Sequence, residues 1–329
     1  MANFKTTTIK QVAERAGVSI ATVSRVINNS APVRDSTRSK ILATIDELEY
    51  SALSKTGSSP KTILVSFPDL SNPFNADLIR GICSAASQFG YKVIFYVLQN
   101  YFTAASYGFF TTSQFFDGLL VVHNVPDKEI LAQLSEEIPV VMCSEHVSGN
   151  TVSYVAIDDF ESAQKAVNYL IRIKRKKIAL INSSLSNNYA IHRERGYRAS
   201  LAEAGLPINE KWIINLPDIN YELAVGAISD ILKREETPDA FFCVSDVYAA
   251  AAIKAARANH FSVPNDIAVV GFDDIDIATM TEPSITTIHQ PKFQIGWQSC
   301  SLLIEQIEHR SVKTRQIILN TDLIVRAST

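Results

Sequence analysis

From Thr62 onward the chain alternates between apolar runs of strand length and stretches whose apolar residues recur at helical spacing. The runs are TILVSF (62–67), KVIFYVL (92–98), GLLVV (118–122), IPVVMC (138–143), VSYVAI (152–157), KIALI (177–181), WIINL (212–216), AFFCV (240–244), IAVVG (267–271) and ITTI (285–288). Short, almost wholly apolar runs separated by amphipathic helices predict parallel strands covered on both faces. Ten such strands are too many for one compact sheet, so residues 62–329 are expected to form an α/β body of two doubly wound parallel sheets. No internal repeat is evident.

The first fifty residues follow a different period. In Thr8–Asn28, the apolar positions Ile9, Val12, Ala13 and Ala16 fall on one helical face and Gly17 follows where a helix is left with φ > 0. Thr8 with Gln11 has capping-box spacing. Ser19 is placed to cap a second helix that buries Val23, Val26 and Ile27 and leaves Thr22, Arg25 and Asn28 on another face. A third helix is predicted over Arg34–Tyr50, with Ile41, Ile45 and Leu48 as its buried stripe. Residues 51–61, SALSKTGSSPK, lack apolar periodicity and read as a linker. Two short helices around a Gly turn describe either a plain α-hairpin or a helix-turn-helix that lays its second helix in a DNA major groove.

The string VAERAGVSIATVSRVIN resembles the helix-turn-helix of the LacI/GalR family of bacterial regulators. The resemblance continues through SNPFNADLIRGI, VAIDDFESAQKAVNYLI, RERGYRASLAEAGL, FFCVSDVYAAAAI, VPNDIAVVGFDDIDIA, TTIHQPKFQIG and LIVRAST, and so covers essentially the whole chain. It implies a small all-α head, residues 1–50, a linker, and a two-lobed effector domain similar to periplasmic sugar-binding proteins. One lobe would comprise about 62–157 and 291–320, the other about 158–290 and 321–329. The wording of FPDLSNPF, TTIHQPKFQIG and LIVRAST looks closest to the nucleoside-responsive cytidine-repressor branch; purine- and pentose-responsive branches are the alternatives.

The resemblance places Ile20 and Ala21 where family members reach base edges, and Thr22, Ser24, Arg25 and Asn28 facing the major groove. Thr8, Ile9, Lys10, Ser19, Arg34 and Thr37 complete the expected DNA-binding set, Arg34, Arg38 and Lys40 lying where they can meet phosphate. The family's hinge helix inserts a Leu into the minor groove. Here the linker offers only Leu53 and lacks the expected Arg.

In open α/β sheets ligands bind beyond the carboxyl ends of the strands. Asp69, Asp158, Ser245, Asp246, Asp273, Asp274 and Gln290 all follow strands in this way. By resemblance Arg193 matches the effector-clamping Arg of an R-x-x-G-[FYW] pattern, Asp273 the acidic contact of G-[FY]-D-[DN], and Ser245 a position that is often Asn. Two stacking positions carry Asn75 and Ile219 instead of aromatics, and Phe74, Tyr189 and Tyr221 are nearby in sequence to replace them. The implied ligand is a nucleoside or sugar gripped through its hydroxyls.

Composition changes this picture little. Of 329 residues 47% are hydrophobic and 20% charged, which is globular. The net charge of −3 conceals a head and linker at +4 and a body at −7, the polarity expected of a DNA-contacting head. No apolar run suits a membrane span and MANFKTTTIK lacks a signal-peptide core, so a cytoplasmic location is expected. Cys83, Cys143, Cys243 and Cys300 are scattered and expected to be small buried residues. The six histidines form no ligand-spaced pair and are expected in surface or loop roles, and GxSxG, Walker A, HExxH and strand-borne GxGxxG signatures are missing. No cofactor, metal or catalytic residue is therefore expected. The reading is a DNA-binding regulator that acts as a homodimer on double-stranded operator DNA under a small-molecule effector. A receptor of the periplasmic type, without DNA regulation, is the rival from another class, and a sugar- or nucleoside-processing enzyme on the same body a third. Helices over Asn75–Phe89 and Lys292–His309 are the expected dimer surface.

Overall fold

A computed structural model describes residues 9–28, 32–48, 61–98, 110–111, 115–123, 128–146, 152–309 and 313–329. Thr8 and its capping box, the linker through Pro60 with Leu53, and the side chains of Ile9, Ile27 and Asn28 lie outside the described residues. The chain divides into two compact units, a small one within the first 60 residues and a large one from Lys61 onward.

The small unit packs three helices, α1 (Ile9–Ala16), α2 (Ile20–Asn28) and α3 (Asp35–Glu47). Their common core is Val12, Ala13, Ala16, Val23, Val26 and Ile41, closed by Val18, Val33, Ile45 and Leu48. Gly17 turns the chain between α1 and α2 at φ +65°, a conformation that a side chain would strain. An exposed ion pair from Arg15 to Glu47 joins α1 to α3.

In the large unit, one six-stranded sheet has the order β11-β5-β4-β3-β1-β2 and the other β12-β10-β9-β8-β6-β7. The first contains β1 (Thr62–Phe67), β2 (Lys92–Val97), β3 (Gly118–Val122), β4 (Val140–Ser144), β5 (Ser153–Ile157) and β11 (Gln316–Leu319). The second contains β6 (Ile178–Ser183), β7 (Ile213–Leu216), β8 (Ala240–Cys243), β9 (Ala268–Asp273), β10 (Thr286–His289) and β12 (Asp322–Ile324). The chain passes between the sheets three times, after β5, after β10 and after β11.

Four expectations are corrected here. Strands β11 and β12 are missing from the sequence reading because both are half-exposed strands at the sheet edges. Strand β12 also runs antiparallel to β10, so the second sheet is not wholly parallel. Strand β2 is not covered on both faces: it pairs only with β1 at the sheet edge, and Ile94 and Val97 are each 43% exposed. Central β1 is fully buried, as the apolar run implies. Cys143, Cys243 and Cys300 are buried, whereas Cys83 is exposed on α4 (Asn75–Gln88).

Helix α4 crosses α11 (Lys292–Glu308) at backbone contact. A Cβ on Gly81 would stand 2.1 Å from the Phe293 carbonyl oxygen, and one on Gly296 would stand 2.2 Å from that of Leu78. Each glycine thus admits the other helix's main chain, and neither obstructing atom can rotate away. Gly226, in α8 (Tyr221–Leu232), has open space at the same position. Gly81→Ala should therefore lower stability by about 1–3 kcal/mol through overpacking, whereas Gly226→Ala should raise it by about 0.5–1 kcal/mol as a glycine leaves a helix interior. Urea denaturation of both variants checks the contrast; equal stability of the two would contradict the backbone contact.

Candidate functional site

In the small unit Ser19 Oγ accepts the Thr22 N–H at 3.2 Å and lies 2.8 Å from Thr22 Oγ1, capping α2. With Val23 and Val26 committed to the core, the helix period puts Ile20 and Ser24 in one row and Ala21, Arg25 and Asn28 in the next. Ile20 is 48% exposed, Ala21 and Arg25 are exposed, and Thr22 and Ser24 are half-buried. Lys10 stands exposed on α1 with a loose 3.9 Å ion pair to Glu14. Arg34 is exposed, and its carbonyl receives the Thr37 N–H at the start of α3, Thr37 itself being half-buried. This unit offers a short helix with Ile20 and Ala21 beside Ser24 and Arg25, which suits base methyl groups and hydrogen-bonding base edges respectively.

In the large unit, a cavity of about 450 Å³ lies where the carboxyl ends of strands from both sheets meet. Asp69, Phe74 and Asn75 line it from the first lobe, and Tyr189, Arg193, Ile219, Ser245, Asp273 and Gln290 line it beside the second sheet. Arg193 sits in α7 (Asn188–Glu203), where it is 5% exposed. Its Nε donates to Asp159 Oδ1 at 2.8 Å, its Nη1 donates to the Val244 carbonyl at 2.7 Å, and Asp273 Oδ1 lies 3.7 Å from Nη1. The guanidinium also lies 3.6 Å from the Phe272 ring centre and 4.9 Å from that of Tyr189. Stacked and paired on several sides, it is rigid before any ligand arrives.

Asp273 is held beside it. Gln290 Nε2 donates to Asp273 Oδ1 at 2.8 Å, and burial, opposed by Arg193, pushes the carboxyl up to about 6. Asp273 and Asp274 both have positive φ, +104° and +54°, at the end of β9. Two consecutive left-handed non-glycines are costly, on the order of 1–3 kcal/mol each. Buried Lys292 holds them there, donating from Nζ to the Asp273 carbonyl at 2.5 Å and to the Asp274 carbonyl at 2.9 Å. The Asp274 side chain turns away to Arg326 at 2.6 Å and His289 at 2.9 Å. Lys292 opens α11, a helix of the other lobe, so the bent turn and that helix share one ammonium.

Three expectations about cleft residues are corrected. Asp158 is exposed and caps α6 (Asp159–Arg172) by accepting the Glu161 N–H at 2.9 Å. The cap geometry turns its side chain along the helix and leaves its neighbour, Asp159, to face the cleft. Asp246 is buried under the strands, accepting Thr287 Oγ1–H at 2.6 Å and the Ile275 N–H at 2.9 Å. Tyr221 is half-buried at the start of α8 and does not line the cavity.

Among the lining residues that escaped the sequence reading are Asp159, His123, Glu145 and Asp218. His123 has no surface role. Asn75 spends its Nδ2 on the Asp69 carbonyl at 2.9 Å, so its Oδ1 accepts the His123 Nε2–H at 3.1 Å. The imidazole packs edge-on to Phe74 at 5.1 Å, and burial with Arg193 lowers it to about 4, leaving it neutral. Glu145 is 4% exposed, and neither of its carboxyl oxygens has a hydrogen-bond partner at good geometry. Burial and the charge on Asp159 push it up to about 8, with Arg193 and the Asn188 backbone N–H opposing. Its position just past β4 is the signal that could have found it. Among the described residues no group of three or more His, Cys, Asp or Glu is placed to hold a metal ion, and no helix is long and apolar enough to cross a membrane.

A helix-turn-helix unit on the same chain as a polar cleft between two α/β lobes defines a ligand-responsive DNA-binding regulator. Residues 8–52 match the model for bacterial regulatory proteins of the lacI family, and residues 167–329 match that for a periplasmic binding protein-like domain. Catabolite control protein A of Priestia megaterium is 33% identical over 98% of this chain and 99% of its own length. The repressor CytR of Escherichia coli (strain K12) is 31% identical over 98% of this chain and 96% of its own. The solved complex of the transcriptional regulator CelR with cellobiose superposes with a TM-score of 0.74 at 30% identity, over 98% of this chain and all of that one. The chain belongs to the lacI family, as a DNA-binding transcriptional regulator with an effector-binding domain.

Glu145 generates a prediction by linkage. Because its carboxyl holds its proton more tightly folded than unfolded, the native state binds the extra proton between about pH 4.5 and 8. Stability is therefore lost as the pH rises through that window. Glu145→Gln should melt higher than the parent at pH 8.5, by up to the order of a few kcal/mol, and the gap should close toward pH 4.5. A gap independent of pH would contradict the unpaired buried carboxyl.

Proposed function

We propose that the cleft takes an uncharged or cationic polyhydroxylated small molecule, of the sugar or nucleoside class, which sets operator affinity. The observation that carries this reading is the charge of the lining: Asp69, Glu145, Asp159, Asp218 and Asp273 face one guanidinium, Arg193, which is already engaged. Such walls repel phosphate and carboxylate groups and offer acceptors to hydroxyl groups. The neutral sugar in the CelR complex is consistent with this. The lining residues hold a ligand and do no chemistry: His123, the one imidazole among them, is tied to Asn75. A melting-temperature panel of hexoses, pentoses, cellobiose, nucleosides and their phosphate esters tests it, since a ligand bound only by the folded state raises its stability. Neutral members should stabilise and esters should not; stabilisation by the esters alone would overturn the reading.

The outward rows of α2 carry the DNA reading, with Arg25 as the principal base contact, Ile20 and Ala21 against thymine methyl groups, and Thr22, Ser24 and Asn28 beside them. Thr8, Ile9, Lys10, Ser19, Arg34 and Thr37 hold the phosphates on either side. One such unit spans a half-site, so the regulator acts as a two-fold homodimer on a near-palindromic operator in the cytoplasm. Helices α4 and α11, with Phe89 and Phe293 each 38% exposed, supply the proposed dimer surface. Arg25→Ala should weaken binding to an operator selected from random DNA by about 1–3 kcal/mol; an unchanged titration at fixed salt would remove Arg25 from the interface.

A further inference from the structure

Most carboxyl groups around the cleft are already answered from within the protein. Asp69 accepts the Ser71 backbone N–H at 2.8 Å and its hydroxyl at 2.5 Å, Asp159 holds Arg193, and Asp273 holds Gln290. Glu145 differs. Its side chain is buried in the cleft wall and neither oxygen has a hydrogen-bond partner at good geometry, although the Asn188 backbone N–H acts on it from nearby. Removing a carboxylate from water without a partner is costly, and such a group persists where something else completes it.

The surroundings decide what can complete it. The groups acting on Glu145 are Asp159, of its own sign, Arg193, which is committed to Asp159 and to the Val244 carbonyl, and the Asn188 backbone N–H. His123, past the neighbouring strand β3 of the same sheet, is neutral and donates to Asn75. Tyr189 keeps its proton, since burial pushes its hydroxyl up to about 12. The lining thus holds five carboxyl groups and one spent cation, so the missing partner is positive as well as a hydrogen-bond donor. A diol would supply donors but bring no charge to offset Asp159, and would leave Glu145 holding its proton. An ammonium group answers both.

Resting on the assignment of the cleft to a polyhydroxylated effector, we infer that this effector carries a protonated amine and that Glu145 is the residue that receives it. The ligand class narrows to amino sugars and amino-substituted nucleosides. Arg193 and Asp273 then grip hydroxyls on the opposite side of the same ring.

The test is calorimetric titration of the full-length protein at pH 7. The probes are D-glucosamine, D-galactosamine, D-mannosamine and 3′-amino-3′-deoxyadenosine, each against its hydroxyl counterpart, with N-acetylated hexosamines as blocked controls. At least one amine should bind tenfold or more tighter than its hydroxyl and N-acetyl counterparts, and Glu145→Gln should bring that ratio close to one. The variant's folding is verified independently by its melting temperature. An amine advantage that survives Glu145→Gln, or a hydroxyl or N-acetyl compound as the tightest ligand, overturns the inference while leaving the effector assignment standing. If no compound of either series binds, the inference falls, and the panel of hexoses, nucleosides and esters then decides the effector assignment separately.

Discussion

A guanidinium withdrawn from water sets the terms for the large unit. Arg193 is tolerable at 5% exposure only because Asp159, the Val244 carbonyl and two aromatic faces replace its hydration. Those partners come from the start of α6, the end of β8 and the end of β9, so one side chain fixes the mutual positions of three strand-to-helix corners. Asp273 inherits its placement from the same centre. The chemistry of the cleft rests on this arrangement, because a loosely held Arg would present no fixed geometry to a ligand.

The corner at Asp273 and Asp274 is the costly part. Two left-handed residues in succession need an external hold, and the buried ammonium of Lys292 provides it through both carbonyls. Lys292 begins the helix that the chain enters after β10, so the strained corner in one lobe is anchored to the first turn of a helix packed on the other lobe's sheet. One ammonium thus ties a corner of one lobe to a helix of the other.

Much of this was legible in the chain. The ten long strands registered because each is a run of apolar residues bounded by turn formers, and the head registered because its helices repeat their apolar positions at 3.6 residues. Arg193 and Asp273 were found because they sit in patterned strings. What escaped has a common physical cause: burial and orientation are properties of the assembled fold. Asp158 and Asp159 are adjacent carboxylates after one strand, and only the cap bond to Glu161 decides which faces the cleft. Glu145 and His123 each follow a strand, a position many residues share, and become significant through desolvation. Strands β11 and β12 are half-exposed at the sheet edges and exist because neighbouring strands offer them an edge.

The crossing of α4 and α11 carries a mechanical consequence. Where helices meet through long side chains, a displacement of one can be absorbed by rotamer changes before the other feels it. Here main chain rests on main chain at Gly81 and Gly296, and no rotamers intervene. At this crossing the pair therefore lacks the side-chain layer that would let one helix shift before the other responds.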